Sequence, residues 1–278
     1  MELLIPYIIE SGLSEDIGAG DITTDALIDA DAMGRGYILA KEPLVVAGLN
    51  VAAMVFESLD PEVACLPMAT DGDAVKAGTK VMQVEGSMRA LLKGERLALN
   101  ILQRLSGIAT FTRACVKELA GTKVRLTDTR KTAPGLRVLE KYAVRVGGAS
   151  NHRMGLFDGI LIKDNHIAAC GGIARAVARA RQAAHHLVKI EVEVSTQEQV
   201  KQAVKAGADV IMLDNMKPDA ICRAVKTIAG RALVEVSGSV AKENLRALAD
   251  TGVDVISMGS LTHSARAVDL SMRIAADG

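Results

Sequence analysis

Four cations stand at the borders of short apolar runs in this chain. Arg130 and Lys131 follow KVRLTD, while Arg153 precedes and Lys163 ends the run ILIK. Cations held close together repel unless anions balance them, so the set implies a small ligand with several negative groups. Arginine suits a carboxylate through two parallel hydrogen bonds, and lysine acts as a compact point charge. His152 stands beside Arg153 and either touches the same ligand or only orients the arginine. Glu193 and Asp214 end the next two apolar runs. Such a pair suits Mg2+ directly or through its waters, a general acid–base couple, or ion pairing with the cations. Ser237-Gly238-Ser239 and Gly259-Ser260 end the last two runs, with His263 close by. Small residues let backbone N–H groups approach an anion, which points to a phosphate.

The elements that must position these groups repeat from about residue 123. The strand-like runs are KVRLTD (123–128), ILIK (160–163), KIEVEV (189–194), VIMLD (210–214), ALVEVSG (232–238) and VISMGS (255–260). Helix-like stretches separate them. One, TQEQVKQAVKAGAD, has a capping box of Ser195 with Glu198 and a stop at Gly207. Continuous apolar strands alternating with helices predict a parallel sheet covered on both faces. No GxGxxG follows a strand, which removes the dinucleotide fingerprint. About six strands are legible rather than the eight of a full barrel, so the expected fold is α/β with an incomplete, open barrel. In such a fold the strand ends converge on one mouth. The segment LTHSARAVDLSMRIA (261–275) is expected to open a helix.

The earlier residues read differently. DGDAVKAGTKVMQVEG (71–86) is turn-rich and β-like, and residues 95–119 form a long helical segment. The β part resembles the hairpins of lipoyl-type carrier domains, but no lysine stands at an exposed hairpin tip. A structural α/β lid domain over 1–112 is expected, followed by the barrel over 113–278, whose last helix could pack back on the first domain. The formal net charge is zero and aromatics make up 2%, which argues against duplex or single-strand nucleic-acid binding. The four cysteines lack CxxC spacing, so no zinc site or disulfide framework is expected and a reducing compartment is. MELLIPYIIESGLSED does not read as a signal peptide, and no apolar run reaches spanning length. Cytoplasm is the expected location.

DTRKTAPGLRVLEKYAVRVGGASNHRMGLFDGILIKDNHI (128–167) closely resembles the quinolinate phosphoribosyltransferase family. EDIGAGDITT (15–24), GERLALNILQRLSGIAT (94–110), EVEV (191–194), LDNM (213–216), EVSGSV (235–240) and MGSLTHS (258–264) extend the likeness almost end to end, in family order. The resemblance implies a carboxylating nicotinate-nucleotide pyrophosphorylase of de novo NAD biosynthesis. Quinolinate and phosphoribosyl pyrophosphate would give nicotinate mononucleotide, pyrophosphate and carbon dioxide, with Mg2+. It also implies a homodimer in which one subunit's N-terminal domain covers its partner's barrel mouth. Under this resemblance Arg130, His152, Arg153 and Lys163 hold the dicarboxylate, and Arg96 reaches in from the partner. Lys131, Glu193 and Asp214 serve phosphoribosyl pyrophosphate and Mg2+, the carboxylates through water. Ser237, Gly238, Ser239, Gly259, Ser260 and His263 take the 5-phosphate. Thr129 and Leu261 complete the substrate set, and Lys131, Lys163, Glu193 and Asp214 are the expected catalytic members. Ser239 departs mildly from the family, in which many members carry glycine there.

The competing readings are a molybdate-transport-associated paralogue, a phosphoribosyltransferase for nicotinate or nicotinamide, and a non-catalytic phosphosugar-binding barrel. The complete cation set favours quinolinate over each of them. His166, His185, His186 and Cys170 are expected to have no part in the site.

Overall fold

A computed structural model describes residues 2–275 of the chain, which divides into two compact units. One takes in the chain up to Arg113, residues 132–148 and the segment from Ser264 onward. The other comprises Ala114–Lys131 and Ala149–His263. The long helix Met88–Glu118 carries the chain from the first to the second.

The first unit holds strands β1 (Met33–Ala40), β2 (Leu44–Val45), β3 (Ala64–Pro67), β4 (Ala74–Val75) and β5 (Lys80–Ser87). The first unit is completed by the last strand in chain order, β12 (Leu270–Ala275), which follows the six strands of the second. Its main sheet is antiparallel in the order β12-β1-β5-β3, while β2 pairs with β4. The helix expected over 261–275 is therefore a correction: only Ser260–His263 is helical, and Leu270–Ala275 is a strand. Buried Leu270 and Met272 alternate with more exposed Ser271 and Arg273. That period of two matches the edge that β1 offers, where Ile38 pairs with Met272. Within this unit Glu140, fully buried on the helix Arg137–Val146, pairs with Arg104 of the long helix at 2.7 Å.

The second unit contains β6 (Arg125–Thr127), β7 (Ile160–Ile162), β8 (Ile190–Val194), β9 (Val210–Asp214), β10 (Leu233–Ser237) and β11 (Val255–Ser257). They form one parallel sheet in the order β6-β11-β10-β9-β8-β7, an open six-stranded α/β barrel. The open seam lies between the edge strands β6 and β7. There the returning chain makes a single parallel bridge, Ser150 to Thr127. Outward Ile190, Val192, Val194, Ile211, Leu213, Val234, Val236 and Ile256 are buried under the helices. The helix Gln197–Ala206 stops at Gly207 in the left-handed region (φ 75°), as expected. Its cap is shifted by one residue: Thr196 accepts the Gln199 amide, and the Gln199 side chain returns to the Ser195 amide. Among the described residues no helix is long and apolar enough to cross a membrane.

Candidate active site

Alternate residues of a strand face opposite sides, and in this barrel every second residue turns inward. Glu191 and Glu193 do so on β8, Met212 and Asp214 on β9, Glu235 and Ser237 on β10, and Ser257 on β11. The inner wall ends in a cavity of about 720 Å³ at the C-terminal ends of the strands. Thr129, Arg130, Lys131, His152, Arg153, Lys163, Glu193, Asp214, Ser237, Gly238, Ser239, Gly259, Ser260 and His263 all line it. Two expected residues do not. Leu261 is fully buried, and Arg96 is exposed on the long helix in the other unit.

The charges follow strand order. Arg130 and Lys131 extend from edge strand β6, Arg153 lies on the segment bridged to β6, and Lys163 ends edge strand β7. The cations thus gather at the seam. Glu193 and Asp214 end β8 and β9, and the serine–glycine turns end β10 and β11.

Asp128, with no exposed surface, clamps the loop that carries His152 and Arg153. Its carboxylate accepts the Asn151 side-chain amide at 2.6 Å and the His152 backbone N–H at 2.9 Å. Nδ1 of His152 accepts the Arg153 N–H at 2.8 Å, and Arg153 Nη1 donates to the Gly159 carbonyl at 3.1 Å. Asp158 closes the next turn by accepting the Met154 and Gly155 amides at 2.7 and 3.0 Å. Burial holds the Arg153 guanidinium below its ordinary pKa; Arg130 adds to this, while Glu191 and Asp158 oppose it.

Glu191 and Glu235 carry chemistry that the strand-end reading missed. Both are buried, and His152 Nε2 lies 3.1 Å from Glu191 Oε2 and 3.5 Å from Glu235 Oε1. The Glu235 carboxyl is pushed up to about 7, first by burial and then by the Glu191 charge. The available signal was the two-residue period. Glu191 stands two before Glu193 and Glu235 two before Ser237, so each shares the inward face of a predicted site residue. The ligand atoms of His152, Glu191 and Glu235 lie within 4.8 Å of one another, close enough to hold a cation. Arg153 and Arg130 stand beside this group, which disfavours a further positive charge there.

Lys163 Nζ stands 3.1 Å from Glu193 Oε2, so one of the expected ion pairs is formed. Asp214 Oδ2 accepts the Asn215 side-chain amide at 2.9 Å. Each carboxylate keeps a second oxygen, and hard oxygen donors of this kind suit Mg2+, which takes one or two carboxylates beside phosphate and water.

The turn after β10 is built for close approach. Gly238 sits at φ 84°, and a Cβ there would run into the Asn215 amide. Ser239 follows at φ 51°, with its hydroxyl donating to Asn215 Oδ1 at 3.2 Å and its carbonyl accepting from Asn244 at 3.1 Å. A left-handed residue here explains why glycine would serve equally well. After β11, a Cβ on Gly259 would lie 3.0 Å from the Lys131 stem and 3.2 Å from the His263 ring. Thr262 Oγ1 donates to the Lys131 carbonyl at 2.7 Å and pins the β6 loop to this turn. The buried Ser260 hydroxyl has no hydrogen-bond partner in the protein. A buried polar atom of this kind at a cavity wall calls for an acceptor or donor from a ligand.

The likeness to known proteins covers both units. A family model described as quinolinate phosphoribosyl transferase, N-terminal domain, matches residues 21–106, and its C-terminal-domain counterpart matches 108–273. A protein of Bacillus subtilis named probable nicotinate-nucleotide pyrophosphorylase, carboxylating, is 48% identical over 260 residues, covering 94% of this chain and 90% of its own. A protein of the same name from Synechocystis is 46% identical, covering 99% and 95%. The crystal structure of NadC from Streptococcus pyogenes superposes with a TM-score of 0.94 at 42% identity, covering 99% of this chain and 98% of that one.

Proposed function

The chain belongs to the quinolinate phosphoribosyltransferase family, and from that premise we propose how its cavity works. It transfers the phosphoribosyl group of phosphoribosyl pyrophosphate to quinolinate and removes carbon dioxide, giving nicotinate mononucleotide and pyrophosphate for NAD biosynthesis. One observation carries the reading: a single cavity joins a cation cluster at the barrel seam to small-residue turns at β10 and β11. The first fits a dicarboxylate and the second a phosphate.

Arg130, Arg153 and Lys163 hold the quinolinate carboxylates, with His152 beside them. Thr129 shapes the turn that presents Lys131 by accepting its amide at 3.1 Å. The turns after β10 and β11 seat the 5-phosphate, and Ser260 supplies a hydroxyl without another partner. Positioning both substrates contributes much of the rate, because the pyridine nitrogen must meet the anomeric carbon in line with the leaving pyrophosphate. Lys131 stands where negative charge grows on that leaving group, which is electrostatic work and needs no side-chain nucleophile. The positive ring nitrogen then stabilises the electron pair left on the adjacent ring carbon as its carboxylate departs as carbon dioxide, and that carbon takes up a proton from water.

Glu193 and Asp214 are the residues that would hold Mg2+, directly or through water. When bound, Mg2+ neutralises phosphate charge.

Sites shared within a homodimer would give Arg96, which is exposed on the long helix, a substrate to reach in the partner subunit. The dimer is supported by large apolar side chains on the surface of the first unit, including Leu3 at 91% and Ile22 at 87% exposure. Four free cysteines among the described residues support a reducing compartment such as the cytoplasm. A non-catalytic phosphosugar-binding barrel would account for the turns but leave Arg130, Arg153 and Lys163 without a purpose.

The deciding experiment incubates purified protein with quinolinate, phosphoribosyl pyrophosphate and Mg2+. Carbon dioxide and nicotinate mononucleotide should appear in equal amounts. No product, or equal turnover of nicotinate, would sink the proposal.

A further inference from the structure

Glu191 lies beneath the dicarboxylate end of the cavity and takes no part in the steps above. Its partner is His152, whose two ring nitrogens are both committed. Nδ1 accepts the Arg153 backbone N–H at 2.8 Å, so the ring proton resides on Nε2 and points to Glu191 Oε2 at 3.1 Å. Neither nitrogen is turned toward the substrate. The His152 backbone is held separately by Asp128, so the backbone clamp does not by itself choose the ring's orientation. The acceptor at Glu191 makes that choice. Without it, a largely buried N–H would lose its partner, which is costly enough to turn the ring and free the Arg153 amide.

We infer that Glu191 is a positioning residue for the proposed reaction, fixing the tautomer and orientation of His152 and through it aiming Arg153 at the substrate carboxylates. The inference rests on the function proposed above. Two further observations support it. Glu235 Oε1 lies 3.5 Å from the same Nε2 without a hydrogen bond to it, so Glu191 is left as the acceptor on a carboxylate floor that faces away from the ligand. Glu191 also offsets the charge of the half-buried Arg153 guanidinium, which favours its staying charged at this position before a dianion arrives. A preset guanidinium can bind a carboxylate without first being ordered. Asp128 does the same for the backbone of this loop, so main chain and ring are held by different carboxylates.

The test combines 15N spectra of the His152 ring with kinetics for Glu191→Leu and Glu191→Gln. The wild-type ring should show the Nε2–H tautomer. Glu191→Leu should lose that signature and raise KM for quinolinate roughly tenfold or more, with KM for phosphoribosyl pyrophosphate changed less than about twofold. Glu191→Gln keeps an accepting oxygen and should restore both the tautomer and most of the quinolinate affinity. An Nδ1–H tautomer in the wild type, an unchanged quinolinate KM in Glu191→Leu, or an equal rise in both KM values would overturn the inference. If the wild type does not turn over quinolinate, the proposed function fails, and the Glu191→Leu spectrum set beside the wild type still decides whether Glu191 sets the ring. If Glu191→Leu does not fold, the spectrum and kinetics of Glu191→Ala take its place.

Discussion

The Lys163 ammonium lies 3.1 Å from the Glu193 carboxylate, across the ends of the neighbouring strands β7 and β8. The lysine side chain is 47% exposed, and open pairs of this kind contribute about 1 kcal/mol or less to stability. The pair therefore serves the ligand more than the fold. Lys163→Met should leave Tm nearly unchanged. It should lower kcat/KM for quinolinate by roughly 30- to 150-fold, the loss of a charge-assisted contact of about 2–3 kcal/mol. Thermal melts alongside steady-state kinetics check it, and a large drop in Tm would assign the pair to the fold.

Glu193 and Asp214 set the response to metal. EDTA should stop turnover and added Mg2+ should restore it. Glu193→Gln and Asp214→Asn should each shift half-activation to higher Mg2+ concentration. Undiminished activity in EDTA would remove Mg2+ from the proposal.

Gly238 and Ser239 offer a paired test at the phosphate turn. At Gly238 a methyl group meets Asn215 and an unfavourable φ of 84° together. Gly238→Ala should raise KM for phosphoribosyl pyrophosphate about tenfold, while quinolinate binding measured by calorimetry stays near wild type. Ser239→Gly relieves a left-handed serine at φ 51° and should change activity by less than about twofold.

Glu235 makes stability depend on pH in a definite direction. Its carboxyl rises from 4.5 to about 7 on folding. Between those values the folded chain holds a proton that the unfolded chain releases. The stability associated with it is complete below 4.5, falls as pH rises, and is lost once pH passes about 7. Glu235→Gln removes this loss. Relative to the wild type, the variant should gain on the order of 2–3 kcal/mol between pH 5 and pH 8, read from denaturant melts at both values. A pH-independent difference would contradict the buried, proton-holding carboxyl.

Arg96 tests the shared site. Arg96→Ala and Lys163→Ala chains should each be nearly inactive alone. Mixed by unfolding and refolding together, they should regain part of the activity, because one of the two sites in a mixed dimer keeps both side chains. Mixed dimers that form and stay inactive would refute sharing.

The six barrel strands were legible because they are short, apolar-rich runs, ILI and VIMLD the most continuous among them, that recur between helix-like stretches. Their polar ends were legible for the same reason: an apolar strand gains nothing from Lys163 or Asp214 unless the residue leaves the core. Local chemistry also marked Gly207 as a helix stop. The capping box was misplaced by one residue because Ser195 and Thr196 are both competent caps, and only the backbone of the strand before them selects Thr196.

The amino-acid sequence by itself determined the α/β class, the open barrel and the groups at its mouth, since hydrophobic period and strand ends are local properties. Tertiary structure decided the rest. Leu270–Ala275 became a strand because β1 presented an edge to pair with, and no local preference announces a partner more than two hundred residues away in sequence. Glu191 and Glu235 gained a role only where the curvature of the sheet brought them together under His152. The charge on that floor, and the direction in which the histidine ring faces, exist only where three separate segments meet at the buried base of the cavity.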